Sequence, residues 1–176
     1  HFHRPIPETQ ALMQIIDTKK PTFIYSLHNA GFGGCYWYLT EGDEALYKKL
    51  YEAPAREKIP LSLGEPETPY CEELYPGIYK MMGVISHYDY LEKFNPGVDP
   101  ATLLTSGTSS DEYANRDGHI SARALVNEMP YFYDPRIEDT SPSDMSRCEA
   151  ILINCDQTEA DFAALTPIYE RVKPLI

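Results

Sequence analysis

Two ionisable residues, His28 and Glu128, lie at the ends of two apolar runs of the sequence. His28 comes directly after FIYSL at residues 23–27, and Glu128 is the last residue of ARALVNE at residues 122–128. An imidazole can bind a metal or carry protons near neutral pH, and a carboxylate can act as a general base. If both runs are neighbouring parallel strands, the two side chains meet at the edge of the sheet where ligands bind.

Each residue also has a simpler structural explanation. A single histidine at a strand end is often only hydrogen-bonded, and a single glutamate shortly before a proline is often a solvated strand terminus. The two residue types alone therefore do not decide between a site and a structural pair, and the order of the surrounding segments has to be considered.

The elements around His28 and Glu128 predict an α/β fold. Residues 7–20 have apolar side chains at helical spacing, and Pro21 separates this helix from a continuous β-rich run at 22–27. A second strand is predicted at 120–128. Helix, short turn and buried strand in this order are typical of α/β proteins with parallel strands. We therefore expect one domain over residues 1–176, with a mixed central sheet flanked by helices.

The remaining elements are predicted less directly. Residues 53–80 are rich in proline and acid and predict mostly loop, long enough to suggest a function. The adjacent aromatic residues Tyr36, Trp37 and Tyr38 are interpreted as packing and loop anchors. Helices are predicted at 41–52 and at 78–94. A short helix is predicted to start at a capping box formed by Ser109 and Glu112. Two more helices are predicted after Ser141, and the second of them begins near Thr158.

The charge and hydrophobicity of the chain argue against some classes of binding partner. The net charge of −12 argues against nucleic acid or an anionic membrane as the main partner. The sequence has no apolar run of the length that a membrane helix needs and no signal-peptide pattern. The four cysteines are expected to be reduced thiols in the core or on the surface. The sequence does not give the compartment or the oligomeric state.

The order of segments resembles the zinc carboxypeptidases of the carboxypeptidase A type. The segments are PETQAL opening a helix, PTFIYSLHNAG, then SGTSSDEYANRDG and ARALVNEMPY far downstream, and together they span roughly residues 5 to 135. The resemblance implies a three-layer α/β/α fold and removal of C-terminal amino acids from peptides. It implies that His28 is the third zinc ligand, that Glu128 is the catalytic glutamate, and that the position setting side-chain specificity falls near Ser110.

The chain departs from this family in one important respect. The other two zinc ligands of the family come from an H-x-x-E motif upstream, and no histidine of this chain has a glutamate three residues later. The resemblance therefore implies the C-terminal half of a peptidase domain, with zinc in the full-length parent and none bound by this chain alone. Such a half would leave an open sheet edge, through which we expect possible self-association.

Two other functions fit the same sequence. A zinc amidohydrolase that deacylates small N-acyl amino acids would share the metal site, so either a peptide or an N-acyl amino acid is an expected substrate. A non-catalytic binding module with this fold, without the metal, would explain the missing H-x-x-E. The residues upstream of His1 in the parent sequence would distinguish an enzyme from such a module, because fold alone does not settle function.

Overall fold

A computed structural model of the protein describes residues 4–31, 33–118 and 120–175. The chain divides after Glu138 into two compact units. The described residues of the first unit form a five-stranded sheet and four α-helices. The described part of the second unit contains one long α-helix and a short 3-10 helix.

Helices and strands are interspersed along the first unit. They are α1 (Pro7–Lys19), β1 (Phe23–Asn29), β2 (Tyr36–Leu39), α2 (Glu44–Arg56), β3 (Glu73–Tyr75), β4 (Ile78–Lys80), α3 (Val84–Phe94), α4 (Ser110–Asn115) and β5 (Arg123–Met129). Short 3-10 helices occupy Pro100–Thr102 and Pro135–Glu138.

The sheet has the strand order β1-β5-β2-β4-β3. Strand β1 runs parallel to β5, and β2 runs parallel to β4. Strand β2 is antiparallel to β5, and β3 is antiparallel to β4. This arrangement confirms an α/β fold with a mixed central sheet. In the part of the chain that the structure describes, β1 is one edge of the sheet, and the expected self-association through it stays a prediction.

Apolar side chains cover both faces of the sheet. On one face, Tyr47 and Leu50 of α2 pack against Trp37, Leu39 and Ile78. Side chains alternate along a strand, so Tyr38 and Val126 point to the opposite face, where they pack with Tyr79. Helices α1 and α4 cover the amino end of this second face, where Ile16 of α1 and Ala114 of α4 pack with Ala122, the residue before β5.

Three predictions about the middle of the chain need correction. Tyr36, Trp37 and Tyr38 form strand β2, so the packing interpretation is confirmed for the buried Trp37 and Tyr38, but they do not lie in a loop. The predicted loop at 53–80 contains the end of α2 and the strands β3 and β4. The predicted helix at 78–94 begins only at Val84, because 78–80 pair as a strand with β2. In strands of only three residues, the alternation of buried and exposed side chains is too short to be recognised in the sequence.

The prediction of two helices after Ser141 is wrong. One α-helix, α5, runs from Arg147 to Val172 and is followed by a 3-10 turn at Lys173–Leu175. The Thr158 hydroxyl donates to the carbonyl of Asn154 at 2.7 Å, which is an interior helical bond and not an N-cap. The helix begins at a capping box formed by Ser146 and Glu149.

In the first unit, helices begin at residues whose side chains are typical helix caps. Ser109 and Glu112 form the expected capping box at α4. Asp43 caps α2. The Thr40 hydroxyl accepts a hydrogen bond from the backbone N–H of Ala124 at 2.8 Å and donates to the buried carboxylate of Asp111 at 3.1 Å. Thr40 therefore ties α4 to the start of β5.

The glycine-rich segment after His28 allows a close backbone crossing. Cys35 N–H donates to the carbonyl of Pro60 at 2.8 Å, and Ser62 N–H donates to the carbonyl of Cys35 at 2.9 Å. A Cβ atom on Gly34 would lie well inside van der Waals distance of the backbone of Leu61 and Ser62. Only glycine leaves room for this crossing, which carries the chain from β1 into β2.

We predict that Gly34→Ala destabilises the protein by about 1–3 kcal/mol or more, because a backbone segment cannot move aside as a flexible side chain can. Gly64→Ala is the matched control, since a Cβ there meets no atom within 4 Å. Urea unfolding of both variants measures the difference. Equal midpoints for the two variants would show that the crossing is not as tight as described.

Candidate active site

His28 and Glu128 occupy equivalent positions on neighbouring strands. The parallel pairing of β1 with β5 places Leu27 opposite Asn127 and His28 opposite Glu128. The Nδ1 atom of His28 lies 3.0 Å from Oε1 of Glu128. This confirms the prediction that the two strands are parallel members of one sheet with both side chains at the same edge.

The two side chains have very different exposure. The Glu128 side chain is 8% exposed, whereas the His28 side chain is 54% exposed. Burial raises the pKa of Glu128 above its ordinary value; the adjacent His28 imidazole acts in the opposite direction, and the Glu67 carboxylate adds to the increase. A carboxylate with a raised pKa is a stronger base than one in water, which suits it to accept a proton.

Backbone hydrogen bonds just beyond the pair hold the strand ends in register. Ala30 N–H donates to the carbonyl of Met129 at 2.8 Å, and Tyr131 N–H donates to the carbonyl of Gly31 at 2.6 Å. Gly31 has a φ of +65°, a left-handed conformation that glycine adopts without strain. The chain can therefore turn at Gly31, after β1 and β5 have paired through Asn29 and Met129.

A third side chain, Tyr36, joins this row from the other side. The antiparallel pairing of β2 with β5 places Tyr36 opposite Glu128, so His28, Glu128 and Tyr36 lie side by side across three strands. The Tyr36 hydroxyl donates to a carboxylate oxygen of Glu67. Burial raises the pKa of Tyr36, and the Glu67 carboxylate raises it further, so the phenol stays protonated at neutral pH.

The sequence alone does not identify Tyr36 or Glu67 as site residues. It assigns Tyr36 to packing, and Glu67 lies in the segment predicted as loop. The usable signal is the length of that acidic segment, which suggests a function without naming a residue. The partner of Tyr36 could not be predicted, because a contact between residues 31 positions apart depends on the fold.

Ser110, expected near the specificity-setting position, lies elsewhere. It is the first residue of α4 and lines a cavity of about 220 Å³ between α1 and α4, together with Leu12, Met13 and Tyr113. Among the described residues, no hydrogen bond or ion pair joins Ser110 to His28 or Glu128. The structure therefore brings two of the three predicted site residues together, and the specificity role of Ser110 stays a prediction.

The residues present do not by themselves fit a catalytic zinc ion. Such a site needs three protein ligands and one open position. Across residues 4–31, 33–118 and 120–175, no group of three or more His, Cys, Asp and Glu side chains could hold a metal. His28 alone offers an imidazole at the expected place, and its Nδ1 atom faces Glu128. We therefore derive no reaction step through a metal.

Comparison of the chain with protein-family models, with curated proteins and with solved structures gave no match. A search for membrane-spanning segments found none among the described helices that is both long and apolar enough to cross a bilayer.

We predict that His28→Ala destabilises the protein by about 1–3 kcal/mol at neutral pH, because it leaves the buried Glu128 carboxylate without its hydrogen-bond partner. The double variant His28→Ala/Glu128→Gln should regain part of this loss, since an amide costs less to bury than a carboxylate. Unfolding of the wild type, both single variants and the double variant forms a thermodynamic cycle. Strictly additive effects would mean that the two side chains do not interact.

Proposed function

We propose that the chain is part of a hydrolase of the zinc metallocarboxypeptidase type, with the three-layer α/β/α fold of that class and C-terminal amino acids of peptides as its leaving groups. The observation that carries the proposal is the pairing of His28 with Glu128, in register on adjacent parallel strands and 3.0 Å apart. The ordered sequence motifs single out the same two residues for a metal ligand and a general base.

Glu128 acts in this proposal as the general base. One carboxylate oxygen, Oε1, faces His28, and Oε2 has no hydrogen-bond partner among the described residues. Oε2 can accept a proton from a water molecule as the water oxygen bonds to the substrate carbonyl carbon. When the C–N bond breaks, the same carboxyl returns the proton to the departing amine. The raised pKa of Glu128 supports both transfers.

His28 has two roles that use different ring atoms. Its Nδ1 atom contacts Glu128 and fixes the orientation of the carboxylate. Its Nε2 atom is left for another ligand, as in metal sites where a histidine donates its second ring N–H to a carboxylate. Zinc, when bound, would polarise the carbonyl and acidify the water. Its remaining ligands would have to come from residues outside this chain.

A second candidate function is a non-catalytic binding module with the same fold. It is favoured by the lack of H-x-x-E in the sequence and by the lack of a three-residue metal cluster among the described residues. A zinc amidohydrolase acting on N-acyl amino acids would use Glu128 in the same way. Among the described residues, no contact favours one of these two enzyme activities over the other. An upstream H-x-x-E in the parent gene would support either enzyme over the module.

We predict that Glu128→Gln abolishes turnover in the longest protein that the gene encodes, with a loss of at least about 10²-fold in kcat. The amide keeps the shape of the side chain but cannot accept the proton of water. Hydrolysis of N-acylated dipeptides with a free C-terminus measures the effect, and Glu52→Gln on α2 is the matched control. A Glu128→Gln enzyme with near-normal kcat would remove Glu128 from the mechanism.

We also predict that the 176-residue chain alone binds no catalytic zinc and has no peptidase activity. One imidazole does not hold zinc tightly, because tight binding needs several preplaced ligands. Metal analysis of the purified chain, after dialysis against a weak chelator, tests this directly. Stoichiometric zinc that is lost in His28→Ala would contradict the proposed ligand set.

A further inference from the structure

Helix α5 carries a stripe of mostly apolar residues that follows a heptad repeat. The residues of the stripe are spaced alternately three and four positions apart along the whole helix. They are Cys148, Ile151, Cys155, Thr158, Phe162, Leu165, Tyr169 and Val172. This is the spacing of heptad positions a and d, which lie between the helices of a coiled coil. A repeat sustained over three to four heptads is a specific signal of this structure. We call these eight residues the α5 seam.

The side chains of the α5 seam are exposed in the described part of the chain. A helix gains most of its stability from the packing of an apolar face, so this stripe needs a partner. Thr158 is compatible with burial in the seam, because its hydroxyl already donates to the carbonyl of Asn154 at 2.7 Å. Pro167 lies at heptad position f, farthest from the seam, so its ring does not obstruct a second helix.

A second copy of the same helix fits this stripe. It carries the same repeat, in the same phase and over the same length, so each layer of the α5 seam meets an equivalent residue of the partner. A membrane surface fits less well. Helix α5 contains five acidic residues and two arginines, whereas helices that lie on membranes carry a basic polar face. The sequence of α5 therefore favours pairing with itself.

The charges beside the seam favour a parallel orientation. In a parallel pair, each residue at position g lies beside the residue at position e in the partner's next heptad. Asn154 then meets the partner's Glu159, and Asp161 meets the partner's Thr166, so no two acids face each other. An antiparallel pair with the whole seam matched would place Glu159 beside the partner's Glu159 and Asp161 beside the partner's Asp161. Such contacts between like charges are unfavourable.

We propose that α5 pairs with the α5 helix of a second copy of this chain, in register, as a parallel two-stranded coiled coil. The α5 seam is buried between the two helices, and Cys148 and Cys155 each lie opposite their own counterparts. The surface uses no residue of the edge strand β1. The inference goes beyond the proposed hydrolase activity and does not depend on it.

Sedimentation equilibrium of the 176-residue chain measures the pairing. We expect a species of twice the 20.0 kDa chain mass at micromolar concentrations. Ile151→Asp and Ile153→Asp are matched variants, because the two isoleucines are 54% and 55% exposed on the same helix and only Ile151 lies in the seam. Ile151→Asp should weaken dimerisation at least about tenfold, since it buries a carboxylate between apolar side chains. Ile153→Asp should leave dimerisation unchanged.

Cross-linking tests the orientation and does not depend on a destabilising variant. In the parallel pair, Cys155 lies opposite the partner's Cys155, at a separation that allows a disulfide. In the fully matched antiparallel pair it lies opposite the partner's Leu165. Oxidised glutathione joins the two thiols in a disulfide and is itself reduced to two molecules of glutathione. In a Cys148→Ser chain we expect a covalent dimer linked through Cys155, identified by mass spectrometry of the cross-linked peptide.

Three results would overturn the inference. One is a wild-type chain that stays monomeric throughout the micromolar range. Another is a dimer that Ile151→Asp and Ile153→Asp affect equally, which would assign self-association to another surface, such as the edge strand β1. The third is a dimer that forms no Cys155 cross-link, which would exclude the parallel, in-register arrangement.

Discussion

The site depends on the parallel pairing of β1 with β5. A shift of one residue between two strands turns every side chain of one strand to the other face of the sheet. His28 and Glu128 would then lie on opposite faces and could not touch. The register is held up to the ends of both strands by the backbone hydrogen bonds of Ala30 and Tyr131, just beyond the pair. The left-handed conformation of Gly31 allows the chain to turn there. The contact between His28 and Glu128 is therefore a consequence of strand register.

Strand β2 connects the pair to the rest of the molecule. Its antiparallel pairing with β5 adds Tyr36 to the row of His28 and Glu128, while its parallel pairing with β4 brings Tyr79 beside Tyr38. The opposite side of β2 supplies Trp37 and Leu39 to the core under α2. One short strand thus joins the hydrophobic core on one face to the polar row on the other, and Gly34 permits its entry at the crossing with residues 60–62.

The sequence predicted the pair well and its surroundings poorly, for physical reasons. The runs before His28 and up to Glu128 are long and apolar, so their strand character and the meeting of their carboxyl ends followed from general rules. Strands β3 and β4 have three residues each, too few for a period to appear, and their pairing depends on distant partners. Thr158 resembles a helix cap in sequence, yet the continuous backbone of α5 outweighs that local preference. The Tyr36–Glu67 contact had no local signal at all.

The state of the His28 ring tests the central claim most directly, because a carboxylate can only accept a hydrogen bond and the facing nitrogen must then carry the proton. Long-range ¹H–¹⁵N NMR of the chain at neutral pH assigns the proton to one ring nitrogen. The account predicts that Nδ1 of His28 is protonated, and that Glu128→Leu removes this preference. A His28 ring with the proton on Nε2 alone, unchanged in Glu128→Leu, would contradict the pairing on which the site depends.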